Sequence, residues 1–267
     1  MNAPESRAIA DPYVLNERDE RGVVTLTLNR PQQFNALSEE MLSALQSELD
    51  AVAADTGARV VVIAGKGKAF CPGHDLKQMK ANPSVDYYGK LFAQCAKLMM
   101  TIQRLPQPVI ARVHGIATAA GCQLVAMCDL AVASSDARFA VSGINVGLFC
   151  STPGVALSRN VGRKQAFEML VTGDFIDAAT AQARGLVNRV VPPDQLDAEV
   201  ARLAASIVAK PQVAIAMGKE LFYRQIETGI EAAYQLAGQT MACNMIDDVA
   251  QEGVQAFMEK RKPTWAP

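Results

Sequence analysis

Two short stretches of the chain could hold a negative charge through backbone N–H groups. In GIATAAGCQLVAMCDLAVAS, residues 115–134, a strand predicted to end at Val113 is followed by a Gly/Ala turn and a helix predicted to begin near Gly121. The first N–H groups of a helix have no acceptor within it and lie at the positive end of its dipole. If AGKGKAFCPGHDLKQM, residues 64–79, directs another N–H to the same point, the two form an oxyanion hole, which stabilises charge on a carbonyl oxygen.

Each stretch also has a purely structural interpretation. The 64–79 stretch carries lysines but satisfies neither G-x-G-x-x-G nor G-x-x-x-x-G-K-[ST], so by itself it is better explained as a surface turn. In 115–134 the small residues could simply allow a helix to pack closely on a strand. A third stretch, GINVGLFCSTPGVAL at 143–157, has polar side chains that could line a pocket, but turns are the better prediction for it. These side chains are Asn145, Cys150, Ser151 and Thr152.

Composition narrows the classes of ligand and partner. The 267 residues carry a net charge of -1, and no basic run is longer than KRK at 260–262, so nothing indicates binding to nucleic acid or to an acidic membrane. Six scattered cysteines without a C-x-x-C pair argue against a zinc site and a disulfide framework. No apolar run approaches about 18 residues, and the N-terminus lacks a signal or transit pattern. We therefore expect a cytoplasmic protein that acts on small molecules.

Strand and helix patterns alternate as far as residue 194, which predicts an α/β fold with crossover units. Apolar runs and alternation predict strands, while a 3.6-residue period or a capping residue predicts helices. The predicted strands are 23–28, 60–65, 106–115, 130–134 and 186–191, and the predicted helices are 38–52, 84–105, 121–128, 163–173 and 177–185. We divide the chain into an α/β core, 1–194, and a purely helical region, 195–267, that packs on a partner or on the core.

In order and spacing, four blocks resemble the crotonase superfamily, that is, the enoyl-CoA hydratase/isomerase family. They are FCPGHDLKQM, HGIATAAGCQLVAMCD, VTGDFIDAATAQARGLVNRVV and FMEKRK, and the resemblance covers nearly the whole chain. It implies a spiral of β-β-α units with a helical C-terminal trimerisation region at 195–267. It also implies coenzyme A thioester substrates, no cofactor beyond the coenzyme A moiety of the substrate, and a homotrimer or hexamer. The block GINVGLFCSTPGVALSR is closer still to one branch of the family.

The resemblance also assigns roles to single residues. The two oxyanion-hole N–H groups fall on His74 and Ala120, and because both are backbone donors, the identity of the side chain need not destroy them. Glycine is usual at position 120, so an alanine there predicts either φ below zero or modest strain. The lysine that contacts coenzyme A maps to Lys77, and the contacts from a neighbouring subunit map to Phe257 and Lys260.

Both proton-transfer positions of the family's hydratases hold other residues in this sequence. Those enzymes carry one glutamate after the Gly-rich turn and a second in a PE pair further along, and the matching positions are Gln123 and Gly143. An amide has no accessible pKa and glycine has no side chain, so neither exchanges a proton near neutral pH. We therefore expect weak hydration. If hydration proves normal, Asn145 or Cys150 is the candidate that positions the water.

Three functions stay open on these residues. The first is an acyl-CoA enzyme that needs only enolate or oxyanion stabilisation, such as a thioesterase or a decarboxylase, which generates its own carbanion and needs no base. The second is a true hydratase with a different acid or base, and the third is a non-catalytic acyl-CoA-binding scaffold. A Cys150 or Ser151 nucleophile would need His74 or His114 as base, and the spacing does not show that they meet. His74 and Asp75 are sequence neighbours, so their side chains are expected to diverge.

Overall fold

Two sheets and a set of helices form residues 11–265, the part of the chain described by the computed structural model. The strands are β1 Val14–Arg18, β2 Val23–Leu28, β3 Val60–Gly65, β4 Ala69–Cys71, β5 Val109–Val113, β6 Ile116–Thr118, β7 Leu130–Ser134, β8 Arg138–Ala140, β9 Ile176–Asp177 and β10 Arg189–Val191. The helices are α1 Glu39–Ala54, α2 Leu76–Ala81, α3 Val85–Arg104, α4 Ala120–Met127, α5 Ser151–Asn160, α6 Arg163–Thr172, α7 Ala178–Ala183, α8 Leu196–Val208, α9 Gln212–Gln225, α10 Ile230–Met245 and α11 Asp248–Met258.

The chain alternates between the two sheets. The larger sheet has the strand order β1-β2-β3-β5-β7-β10, and the smaller has the order β4-β6-β8-β9. Only β1 pairs antiparallel in the larger sheet as described. Each unit adds one strand to the larger sheet, the next strand to the smaller sheet and then a helix, as in β3-β4-α2, β5-β6-α4 and β7-β8-α5. This β-β-α spiral confirms the α/β architecture that the resemblance implies.

The first helix shows how local sequence produces this packing. Ser38 caps α1, because its hydroxyl accepts a hydrogen bond from the Met41 N–H at 3.2 Å. Glu39 and Glu40 follow in the first turn, where negative charge interacts favourably with the helix dipole. The apolar stripe is buried as predicted and consists of Met41, Leu42, Leu45, Leu49 and Val52.

Two glycines end helices as predicted. Gly173 after α6 has φ 68°, and Gly185 after α7 has φ 84°. Both values lie in the left-handed region, which glycine adopts without a Cβ clash. These turns return the chain toward β9 and β10 at the edges of the two sheets.

The helical region beyond residue 194 begins with a helix that packs on the core, one of the two arrangements expected for it. Helix α8, the first helix beyond it, lies on the face of the larger sheet formed by residues of β2, β3, β5 and β7. An amphipathic helix beside an uncovered apolar sheet face buries its stripe there. The buried residues of α8 are Leu196, Val200, Leu203 and Ala204. Helix α8 therefore belongs to the core.

A buried ion pair anchors α9 to the core. Lys219 Nζ lies 2.6 Å from Asp129 Oδ2 and also donates to Ile102 O and Gln107 O. Tyr223 donates its hydroxyl to Asp129 Oδ1 at 2.8 Å. Because the pair is nearly enclosed, removing one partner alone would leave an uncompensated buried charge. Asp129 thus has a structural role.

Helices α10 and α11 leave large apolar side chains uncovered. Ile230, Tyr234, Met241, Ile246 and Phe257 are between 71% and 85% exposed. A contiguous apolar surface of this kind is typical of a subunit interface. Within residues 11–265, no single helix is long and apolar enough to cross a membrane. Only the pair Pro193–Val208 and Gln212–Gln225, bent by 102°, passes that test together, on length and composition alone.

Candidate active site

A cavity of about 520 Å³ brings together residues from all three stretches singled out in the sequence. Its wall is built from the turn before α1, the loop leading into α2, the start of α4 and the segment 142–153. The sequence predicted turns for the last of these segments. The structure shows a 3-10 turn at Ser142–Val146 and the start of α5 at Ser151, and it places Cys150, Ser151 and Thr152 in the cavity wall.

His74 and Ala120 each contribute a backbone N–H to this wall. Ala120 is the first residue of α4, so its N–H has no acceptor within the helix, and neither amide donates to another group in the described part of the chain. Their two segments touch, because a Cβ added to Gly73 would lie 3.1 Å from Ala120 N. A Cβ on Gly121 would lie only 2.0 Å from Cys71 O, so glycine is required there for the close approach. Backbone N–H groups without an acceptor are the kind of donor that an oxyanion hole requires.

Of the two alternatives expected at position 120, Ala120 adopts a φ below zero, and the backbone strain lies one residue earlier. Ala119 has φ 50° and ψ -121°, a conformation that side chains strongly disfavour, whereas Ala120 already belongs to the helix. The chain reverses between β6 and α4 at Ala119, whose N–H is held by Ala140 O at 3.0 Å. The strained residue thus directly precedes Ala120, and both lie in the cavity wall.

The His74 ring also lines the cavity, in a defined tautomer. Its Nδ1 lies 3.2 Å from Leu37 O, and since a carbonyl oxygen can only accept, Nδ1 carries the hydrogen. Burial lowers the pKa of the imidazole below its usual range, although the bond to Leu37 opposes that shift. The ring is thus neutral near pH 7, and Nε2 is a lone-pair acceptor that is buried without a hydrogen-bond partner.

Asp75 and Lys77 have separate roles at the start of α2. The Asp75 carboxylate accepts from the Lys77 and Gln78 N–H groups at 2.8 and 3.1 Å, so it caps the helix and diverges from the His74 ring as expected. Lys77 is exposed and lies in the cavity wall. Among residues 11–265, Asp75 is the only carboxylate in that wall.

Gln123 is buried on the face of α4 that begins at Ala120. It is 6% exposed, and its Oε1 has no hydrogen-bond partner among the described residues. Residues three apart in a helix share a face, so Gln123 lies one turn beyond the Ala120 N–H. An unpaired buried acceptor costs about 1–3 kcal/mol. Gln123 is not part of the cavity wall.

At position 143, neighbouring groups occupy the space that a side chain would need. A Cβ on Gly143 would lie 2.6 Å from Leu148 O and 2.7 Å from Cys150 Sγ. Burial raises the pKa of the Cys150 thiol, and the hydrogen bond from the Gly143 backbone opposes that shift. The thiol is therefore protonated near neutral pH, and a glutamate cannot be placed at 143 without moving the backbone of 148–150.

The sequence of this chain was compared with protein families and with solved structures. The family model Enoyl-CoA hydratase/isomerase matches residues 18–267. The chain belongs to this family. Enoyl-CoA hydratase domain-containing protein 3, mitochondrial, of Xenopus laevis is 49% identical over 93% of the chain and 84% of that protein. The human protein of the same name is 44% identical over 99% of the chain and 87% of its own length.

Solved structures of the family match the fold. The crystal structure of an enoyl-CoA hydratase of Mycobacterium smegmatis is 70% identical, has a TM-score of 0.95, and covers 96% of this chain and 99% of its own. The crystal structure of human enoyl-CoA hydratase domain-containing protein 3 is 45% identical, has a TM-score of 0.91, and covers 95% and 100%. This domain-containing protein 3 branch is the one that the 143–159 block resembles, and the comparisons confirm that resemblance.

The expectation of a cytoplasmic protein is wrong by these comparisons. Five relatives called enoyl-CoA hydratase domain-containing protein 3, from frog to zebrafish and human, are all named as mitochondrial proteins. The expectation came from overall composition and from the N-terminal pattern, of which residues 1–10 lie outside the described part of the chain. A compartment is specified by a targeting segment that is recognised and removed, so the composition of a folded core does not contain that information.

Four other residues proposed for the family site lie outside the cavity wall. Asn145 donates its amide to Gly173 O at 3.3 Å, and His114 Nε2 lies 2.9 Å from Gly67 O, so each is engaged elsewhere. Phe257 is 85% exposed near the end of α11, and Lys260 follows the helix with φ 56°. The roles of Phe257 and Lys260 toward a neighbouring subunit stay predictions. Residues 11–265 also contain no group of His, Cys, Asp or Glu that could hold a metal ion.

Sequence reasoning missed the apolar rim of the cavity. Phe34, Leu76, Val146, Leu148 and Phe149 line it and are between 42% and 69% exposed. They lie in turns and at the first residue of a short helix, where no periodicity predicts which way a side chain points. Their only signal is that large apolar residues occur within otherwise turn-like segments.

Proposed function

We propose that this family member is an acyl-CoA enzyme that binds the thioester oxygen to the N–H groups of His74 and Ala120 and catalyses chemistry that needs no carboxylate base. Decarboxylation of a carboxyacyl-CoA fits best. The C–CO₂ bond breaks, its electron pair delocalises onto the thioester oxygen as an enolate, and the two N–H groups stabilise that charge. A proton from solvent then completes the acyl-CoA product. No cofactor beyond the coenzyme A of the substrate is required.

One observation carries this proposal. The cavity contains two free backbone donors, while the only carboxylate in the described part of its wall caps a helix. Gln123 and Gly143 hold the positions of the hydratase glutamates, and each general acid or base is worth about 10² to 10⁴ in rate. Chemistry that depends on oxyanion stabilisation alone is therefore retained where hydration is not.

The direct test compares substrates in one preparation. We expect malonyl-CoA or methylmalonyl-CoA to be decarboxylated faster than crotonyl-CoA is hydrated, with both followed by chromatography of the CoA products. Calorimetric binding of butyryl-CoA serves as the control for an intact site. Binding without turnover of any thioester would identify the chain as an acyl-CoA-binding scaffold, and rapid hydration would identify a true hydratase.

The His74 ring favours thioester hydrolysis as a second candidate. Its neutral Nε2 is free to accept a proton from water, which then attacks the thioester carbon while the oxyanion forms against the two N–H groups. Collapse of the tetrahedral oxyanion breaks the C–S bond and expels the coenzyme A thiolate. The His74 imidazolium then gives its proton to that thiolate. His74→Gln keeps the backbone donor and should lower butyryl-CoA hydrolysis about 10²- to 10⁴-fold with little change in affinity. An unchanged rate would exclude the ring as base.

We also propose that the protein assembles as a trimer or a pair of trimers through α10 and α11. The support is the exposed apolar face of these helices, which includes Ile230, Tyr234 and Met241. Light scattering should report a trimer or hexamer at micromolar concentration, and Tyr234→Glu with Met241→Glu should dissociate it. A stable monomer of the unmodified protein would contradict this assembly.

A further inference from the structure

One edge of the smaller sheet brings three segments of the cavity wall side by side. Strands β4, β6 and β8 are parallel neighbours in this sheet, and Thr118 at the end of β6 pairs with Ala140 at the end of β8. Parallel neighbours run about 4.8 Å apart and reach the same edge of a sheet at their carboxyl ends. The segments that follow the three strands, and that contribute residues to the wall, are 72–74, 119–120 and 141–143. The first two carry the N–H groups of His74 and Ala120, so the third segment lies next to the Ala120 donor.

Two hydrogen bonds hold the third segment against the turn that carries Ala120. The Ala119 N–H donates to Ala140 O at 3.0 Å, and the hydroxyls of Thr118 and Ser142 are hydrogen-bonded to each other at 2.8 Å. Thr118 is only 8% exposed, so this side-chain bond is largely shielded from water, where a hydrogen bond is stronger. The third segment is therefore held in a defined position relative to the Ala120 N–H.

The Cys150 thiol fills the space beside this third segment. A Cβ built on Gly143 would lie 2.7 Å from Cys150 Sγ, so the sulfur stands where a side chain at 143 would leave the backbone. Cys150 lies in the cavity wall and is 6% exposed. It directly precedes α5, and its side chain makes no capping hydrogen bond to that helix. The sulfur thus lies at the end of β8, beside the strand end that leads to Ala120.

Cys150 is also the buried acid of the described part of the wall. The hydrogen on His74 Nδ1 is held by Leu37 O, and Asp75 accepts two hydrogen bonds as a helix cap, so neither has a free proton to give. Lys77 is exposed to solvent. The other polar side chains of the wall are alcohols and amides, which do not ionise readily. Burial raises the pKa of the Cys150 thiol, so it carries its proton near pH 7.

We propose that the Cys150 thiol protonates Cα after decarboxylation, which makes Cys150 a further catalytic residue of this site. The inference rests on the proposed function, because it requires a thioester oxygen bound to the N–H groups of His74 and Ala120. Cα is two covalent bonds from that oxygen, and the thiol lies at the neighbouring strand end, so the two reacting atoms meet on one side of the cavity. A donor fixed by the protein adds its hydrogen to one face of the planar enolate, whereas water adds it to either face.

The proton transfer balances without any further reactant. The S–H bond breaks and a C–H bond forms at Cα, using the electron pair that the departing CO₂ left on the enolate. The electron pair of the S–H bond stays on sulfur as a thiolate. The hydrogen bond from the Gly143 backbone stabilises that thiolate, which then takes a proton from water. The whole reaction consumes one solvent proton, and the thiol delivers it.

The test uses the stereochemistry of the product. Decarboxylation of methylmalonyl-CoA in D₂O, run faster than the substrate exchanges its own C2 hydrogen, places one deuterium on C2 of propionyl-CoA and makes that carbon a stereocentre. We expect a single enantiomer from the unmodified protein, measured by deuterium NMR of a chiral ester of the propionate. Cys150→Ala removes the donor and should give both enantiomers in equal amounts. A mixture from the unmodified protein, or a single enantiomer from Cys150→Ala, would overturn the inference.

Two further variants separate the thiol from its effect on packing. Cys150→Ser keeps the size of the side chain but is a far weaker acid, so it should also lose the single enantiomer. Cys122→Ala is the matched control, because Cys122 is a thiol of α4 that is 1% exposed and is not in the cavity wall. It should keep the single enantiomer. Retention by Cys150→Ser, or loss by Cys122→Ala, would contradict a specific role of the Cys150 thiol.

The same reaction distinguishes this inference from the proposed function. If CO₂ is released and the unmodified protein gives a mixture of enantiomers, the decarboxylation stands and the thiol alone is excluded as donor. If no CO₂ is released from methylmalonyl-CoA or malonyl-CoA, the proposed decarboxylation fails, and the role of Cys150 fails with it.

Discussion

The two halves of the candidate site differ in what they are made of. The proposed oxyanion-binding half consists of the backbone N–H groups of His74 and Ala120, which do not depend on the identity of the side chain, and the residue before Ala120 is strained. The proton-transfer half that the family resemblance implies would depend on side chains, and the positions matched to it hold Gln123 and Gly143. A site built from the backbone tolerates substitution, whereas a site built from carboxylates is lost with two residues. The predictions below test this difference, from the largest expected effect to the smallest.

Removal of one backbone donor should have the largest effect. Proline at position 74 lacks the N–H, so we expect His74→Pro to show no binding of butyryl-CoA by calorimetry at ligand concentrations up to about 1 mM. His74→Ala is the control. It keeps the N–H and should retain the affinity within a few-fold. Normal binding by the proline variant would show that this amide does not contact the thioester.

Loss of the proton-transfer half should appear as slow hydration of crotonyl-CoA. We expect crotonyl-CoA turnover to be slower than that of a two-glutamate hydratase by at least about 10³, since two proton-transfer groups are missing. Gln123→Glu should recover little of it, because groups that act as a unit are not additive. A spectrophotometric rate in the normal range for the unmodified protein would remove the contrast between the two halves.

Position 143 should resist any side chain. The contacts of a Cβ with Leu148 O and Cys150 Sγ predict that Gly143→Ala lowers the free energy of unfolding by about 1–3 kcal/mol, measured by urea denaturation. The double variant Gly143→Ala with Cys150→Ala should recover only part of the lost stability, because the contact with the Leu148 carbonyl oxygen remains. Gly218→Ala in α9, where a Cβ meets nothing within 4 Å, should be neutral or stabilising. For the same reason Gly143→Glu does not restore a hydratase site. Equal changes in the free energy of unfolding for Gly143→Ala and Gly218→Ala would contradict the crowding at position 143.

The smallest expected effect is a change of folding stability with pH. The pKa of His74 and that of His114 are lowered in the folded protein, mainly by burial, so below about pH 6.5 the unfolded state binds more protons than the folded state. Stability is then fully present above about pH 6.5 and is lost as pH falls toward the folded pKa values. The thermal midpoint should fall between pH 7 and pH 5, and His74→Gln and His114→Gln should each reduce that fall. If the thermal midpoint falls equally with pH in the unmodified protein and in both variants, burial of these two rings is excluded as the cause of the fall.

Local signals predicted the parts of the fold that carry strong patterns. The long helices α1 and α3 and the buried strands β3, β5 and β7 have the predicted type and nearly the predicted bounds, because each contains a sustained period or a continuous apolar run. The smaller sheet was missed, since β4, β6, β8 and β9 have two or three residues each and pair only through contacts with distant segments. Helix α2, with six residues, was missed for a similar reason, and α5 was missed because its first residues were interpreted as turns.

The candidate site divides in the same way. The blocks around His74 and Ala120 were identified from sequence, and the structure brings both into one cavity wall. Asn145 was a candidate because of its residue type alone, and the structure turns its amide to Gly173. Phe34, on the rim of the cavity, had no signal, because it lies in a turn whose conformation depends on the buried hydrogen bonds of Asn35.

The sequence by itself determined the family and the α/β order of elements, because each of these depends on residue identity or on a local period. Tertiary structure decided that the strain lies at Ala119, that Cys150 fills the space beside Gly143, and that α8 belongs to the core. These features come from contacts between segments far apart in the chain. Which atoms meet across such contacts is set by packing volume and hydrogen-bond geometry, and neither can be computed from a local pattern.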